Sequence, residues 1–99
     1  MNMDKKPTAK YQIADSFKIT GRGLVLTGYI TEGVVSVGDT IEFVAYNTLF
    51  QRKITGIGGI RKSQTDKVNT GLLIECKDEA EIDELRNWKP ENAIAVIYH

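Results

Sequence analysis

Alternation of apolar and polar residues marks most of this chain as β structure. Between Thr40 and Tyr46, Ile41, Phe43 and Ala45 fall on one face of an extended segment and Glu42 and Tyr46 on the other. Tyr11 to Ile19 mixes apolar and polar residues. Gly23 to Ile30 is rich in Leu, Val and Thr, and Phe50 to Ile60 reads as a longer strand interrupted by Gly56, Gly58 and Gly59. Thr70 to Cys76 and Ala93 to Tyr98 complete the set. Short strands divided by turn residues predict an all-β barrel or sandwich. One helix is predicted over residues 79–87: Asp78 is positioned to cap it, Glu81 follows three residues later, and Ala80, Ile82 and Leu85 share a face, with Pro90 ending the segment. Residues 1–10 read as a flexible polar lead and residues 11–99 as one domain.

The glycines refine this outline. Gly21 and Gly23 bracket Arg22 between two predicted strands, which suits a tight turn that exposes Arg22. Gly28 interrupts a strand pattern, as at a bulge or a sharp barrel bend. Val37-Gly38-Asp39 reads as a turn.

Charge and reactive residues narrow the function classes. Thirteen basic and thirteen acidic residues leave a formal net charge of zero, whereas a domain that grips nucleic acid non-specifically usually carries a basic excess. Arg52, Lys53, Arg61, Lys62 and Lys67 lie in a stretch whose only acid is Asp66, and the acidic helix follows it. The neutral total is therefore compatible with a dipolar surface or with a well-mixed one. Acids from Glu75 to Glu84 are expected on a solvated helix face. No Gly-Lys dipeptide exists for a phosphate-binding loop, and Arg61 stands where a dinucleotide fingerprint would need its third glycine. The single histidine, His99, is expected at a frayed end, and the single cysteine, Cys76, is expected as an inert buried thiol. One Cys and one His do not make a four-ligand zinc site. No catalysis, cofactor, metal or nucleotide is expected. No apolar run approaches the ~20 residues that span a bilayer, and the polar start carries no secretory core, so a cytoplasmic protein with no membrane partner is expected. The polar lead and the Tyr98-His99 ending read as natural ends.

The densest motif is Gly21-Arg22-Gly23-Leu24-Val25-Leu26-Thr27-Gly28, followed by Gly33-Val34-Val35 and Val37-Gly38-Asp39. Ile54-Thr55-Gly56-Ile57 leading to Arg61-Lys62, and Asn69-Thr70-Gly71-Leu72-Leu73, follow in order. Together these closely resemble the second domain of translational GTPases of the elongation factor Tu type, over roughly residues 14–97. The resemblance implies a closed antiparallel Greek-key β-barrel of about six strands. It also implies a barrel that docks on a GTPase domain, touches the small ribosomal subunit and holds the 3′ end of tRNA. Carried over by motif, Ile19, Val25 and Leu73 fall at aliphatic pocket positions, Arg61 at the pocket arginine and Asn69 at the pocket asparagine.

This sequence departs from that pattern. Gly58 stands at the pocket glutamate position, the loop from Arg61 to Asn69 is shorter, and Tyr29, Glu32 and Ser36 replace basic residues that would neutralise phosphate. The GTPase domain is absent from the chain. Two functions are therefore expected as alternatives. One is a stand-alone module that engages RNA, the ribosome or a translation factor, with Arg22, Arg52, Lys53, Lys62 and Lys67 as a possible basic surface. The other is a protein-interaction or self-associating module that uses the orphaned GTPase-docking face.

Overall fold

The computed structural model describes residues 6–19, 23–61, 68–90 and 93–99, with the backbone alone at 59–61, 68 and 69. Its strands are β1 (Ala9–Ile19), β2 (Gly23–Gly33), β3 (Thr40–Ala45), β4 (Thr48–Arg61), β5 (Val68–Ile74) and β6 (Ala93–Tyr98), with the helix α1 (Glu79–Arg86) between β5 and β6. Every pairing is antiparallel, and the order β1-β2-β5-β4-β3-β6 closes on itself. Closure leaves no edge strand to template aggregation. β3, β4 and β5 form a meander, and β2 lies beside β5, which is the Greek-key arrangement.

The expected strands are present, with shifted ends. β1 starts earlier than Tyr11, because Ala9 is buried between Gly33 and Ile97. β3 stops at Ala45, because Tyr46 and Asn47 adopt left-handed backbone (φ 51° and 61°) in the two-residue turn to β4. Positive φ at both central residues matches the right-handed twist of the strands.

Inward-facing Ile41, Phe43 and Ala45 join Tyr11, Ile13, Leu24, Leu26, Ile54, Leu72, Ile74 and Ile97 in one core. The Tyr11 hydroxyl is satisfied inside the barrel by donating to the carbonyls of Leu26 and Thr70, and burial holds its pKa well above the ordinary value.

Two register shifts interrupt the β1–β2 pairing, one at Thr31 of β2, between the Lys10–Glu32 and Tyr11–Ile30 pairs, and one in β1. Ile13 pairs with Gly28 but Asp15 with Thr27, so Ala14 is an extra residue bulged out of β1. A Cβ at Gly28 would lie 1.8 Å from the Gln12 carbonyl oxygen, so only glycine permits this approach.

α1 closes one end of the barrel. Extended Asp78 caps it, its Oδ1 accepting the Glu81 N–H at 2.9 Å. Ile82 and Leu85 are buried as expected, but Ala80 is exposed and Glu81 is buried in its place. The helix ends before Pro90 is reached: Asn87 is the C-cap, and Trp88 turns into the core to stack on Phe43, which stacks in turn on Phe50 (centroids 5.5 and 5.4 Å). The Ser16 and Tyr46 hydroxyls donate to the Leu85 and Glu84 carbonyls (2.8 Å each), and Lys18 reaches Glu79 and Asp83 at 3.0 and 3.1 Å. No described helix is long and apolar enough to cross a membrane.

Candidate functional site

Bulging at Ala14 reverses the alternation of β1. Ile13 faces the core, Asp15 is exposed, Ser16 is buried and Phe17 faces out. Plain alternation would have put Ile13, Asp15 and Phe17 on one face. Phe17 pairs with Val25 on β2, and Val25 with Leu73 on β5. All three lie on the outer surface, since their neighbours Ser16, Leu24, Leu26, Leu72 and Ile74 are buried. The result is an apolar row across three strands: Phe17 is 42% exposed, Val25 is buried and Leu73 is half-buried. Ile19, paired with Gly23, extends the row to the end of β1.

Glycine flattens the far side of this shelf. Leu73 pairs with Gly56 and leans over it, its Cβ and Cδ2 lying 3.3 and 3.4 Å from where a Gly56 Cβ would be. Gly58, two residues on, faces open space. The shelf thus has an exposed aromatic ring at one side, an aliphatic floor and bare backbone beyond.

The structure brings Ile19, Val25 and Leu73 together. Asn69 lies four residues from Leu73 along β5, roughly 13 Å at the rise of a strand. There Asn69 pairs with Ile60 and Arg61 with Val68, so the Arg61 and Asn69 backbones are diagonal neighbours on the β4–β5 hairpin. Phe17 is not among the expected pocket residues, and its outward position depends on the bulge.

The expected basic surface divides. Arg22, Lys62 and Lys67 lie outside the described residues, and Lys53 is exposed. Arg52 is an ion-pair partner: its Nε donates to Glu81 Oε2 at 2.7 Å, its Nη2 to Glu81 Oε1, and its guanidinium lies over the Phe50 ring. The Arg52 guanidinium holds the Glu81 carboxyl below the usual carboxylate range, helped by the Lys77 N–H. The acids of α1 are therefore not a purely solvated face.

Cys76 is half-buried beyond the end of β5, and burial, with the Glu81 charge beside it, pushes its thiol up to about 12. His99, expected at a frayed end, places Nδ1 3.2 Å from the Oδ1 of buried Asp39 while its ring stays in solvent. Among the described residues, no three His, Cys, Asp or Glu side chains group as a metal site. No protein-family model matches the chain.

Proposed function

We propose that this protein is a non-catalytic binding module of the elongation factor Tu domain 2 kind, which receives the single-stranded 3′ end of an RNA on the Phe17–Val25–Leu73 shelf. The observation that carries the reading is an exposed aromatic in one outward row with two aliphatic residues on adjacent strands. An unstacked terminal base presents two apolar faces and a polar edge, and a phenyl ring beside an aliphatic floor buries one such face. Asn69 follows along β5 and Arg61 lies diagonal to it on β4, where an arginine would meet phosphate and an asparagine a base edge or ribose. A short single-stranded RNA ending in CCA, titrated against the protein at physiological salt, tests this: saturable binding lost in Phe17→Ala supports it.

A second reading has its own support. The exposed acids Asp15 and Glu75 each lie two residues from a member of the row, and acids repel a phosphate backbone. A protein segment would then lie on the same shelf, and binding insensitive to the RNA but abolished by Phe17→Ala would select it.

A further inference from the structure

β6, which closes the barrel between β1 and β3 and lies opposite β5, carries a second outward apolar line. Ile94 is 55% exposed, and Val96, two residues on, is half-buried on the same face. β6 lies between β1 and β3, and the register places charges on both sides of Val96: Lys10 of β1 pairs with it on one side and Glu42 of β3 on the other. Both face outward, because Ala9, Tyr11, Ile41 and Phe43 are buried.

This arrangement is self-complementary. Rotation of a second copy by half a turn about an axis along β6 stacks Ile94 on its equivalent and Val96 on its equivalent. The same rotation exchanges the two sides of β6, so Lys10 of each copy faces Glu42 of the other. From this we infer that the β1–β6–β3 face is an interface between two copies of the chain, closed by two reciprocal Lys10–Glu42 ion pairs around an Ile94–Val96 centre. A partner of one dominant charge would not match a face bearing one charge of each sign, whereas a two-fold contact between identical faces satisfies both. The zero formal net charge adds no long-range repulsion between copies.

The intrachain competitors are weak. Lys10 Nζ lies 3.3 Å from Glu32 with both side chains largely in solvent, and Glu42 accepts a hydrogen bond from exposed Gln51. Exchanging such contacts for an interchain pair costs little. A convex barrel wall buries a small area around one strand, which places the contact among weak, concentration-dependent interfaces. The β2 and β5 members of the shelf lie opposite β3 and β6 in the barrel, and Phe17 lies beyond the part of β1 that pairs with β6, so the shelf stays outside the contact. If the shelf binds as proposed above, the dimer is divalent; the association itself does not depend on that reading.

Charge reversal tests the interface. Sedimentation velocity of the full chain up to about 1 mM, a concentration that reveals even weak association, is expected to show a reversible monomer–dimer equilibrium. Lys10→Glu and Glu42→Lys are each expected to weaken it at least tenfold. An equimolar mixture of the two variants is expected to restore it, because both interchain pairs are again opposite in sign. Thermal unfolding of each variant checks that the barrel is intact. A wild type that stays monomeric throughout, variants that associate like wild type, or a mixture that fails to recover each overturns the inference. The first outcome leaves the face to a different protein or to solvent.

Discussion

Arg52 of β4 and Glu81 of α1 form a two-pronged ion pair that ties the helix to the barrel. Glu81 is buried, and its Oε2 also accepts the Lys77 N–H at 3.1 Å, so the carboxylate depends on these donors. Removing the guanidinium in Arg52→Ala leaves that charge with the Lys77 N–H and the weakly donating Cys76 thiol. The expected loss is about 2–3 kcal/mol, below the range for a fully buried pair because Arg52 keeps some solvent contact. Urea unfolding at pH 7 measures it.

The same pair sets an acid dependence. Glu81 titrates lower in the folded protein than in the unfolded chain, so its contribution is fully present above the unfolded carboxylate range and is lost as pH falls through the folded value. Wild type is expected to lose stability below about pH 4, near the unfolded glutamate pKa. Arg52→Ala is expected to show a shallower acid slope, read from urea midpoints between neutral and acid pH.

Gly28 gives a steric test. Its Cβ would sit 1.8 Å from the Gln12 carbonyl oxygen and 3.1 Å from the Ala14 nitrogen, both backbone atoms that cannot rotate away. Gly28→Ala is expected to cost about 3 kcal/mol or more, since β1 must separate from β2 at the bulge. Gly58→Ala meets open space and is expected to stay within about 0.5 kcal/mol of wild type. Thermal unfolding of the two variants side by side distinguishes a required glycine from a merely permitted one.

Cys76 is expected to be slow toward alkylation. With its thiol pushed up to about 12, the reactive thiolate is scarce at pH 8. Native protein should react with iodoacetamide at least tenfold more slowly than urea-unfolded protein. The raised folded pKa also means that this thiol's contribution is complete below the unfolded cysteine value and is lost as pH rises from about 8.5. A Cys76→Ala variant is expected to show a weaker alkaline decline.

The strands were legible where alternation was uninterrupted. Ile41, Phe43 and Ala45 face the core as their spacing predicts, and Gly28 signalled irregularity where a bulge stands opposite it. Asp78 and Glu81 located the start of the helix. What was not legible depends on distant partners. Burial of Glu81 follows from Arg52 on another element, so an acidic run in sequence gave no sign that one acid turns inward. The shelf was legible in part: Ile19, Val25 and Leu73 stood at motif positions, but Phe17 reaches the surface only because one extra residue, Ala14, reverses the face of everything after it in β1. A period-2 reading cannot place that bulge without knowing which strand lies opposite.

The most direct test of the shelf is a titration of isotope-labelled protein with a short single-stranded RNA ending in CCA, followed by amide and methyl NMR at physiological salt. Saturable shifts centred on Phe17, Ile19, Val25 and Leu73, spreading to Arg61 and Asn69 and reduced at least tenfold in affinity by Phe17→Ala, are the predicted result. Shifts that are absent, or diffuse and removed by salt, would contradict RNA-end binding on this face.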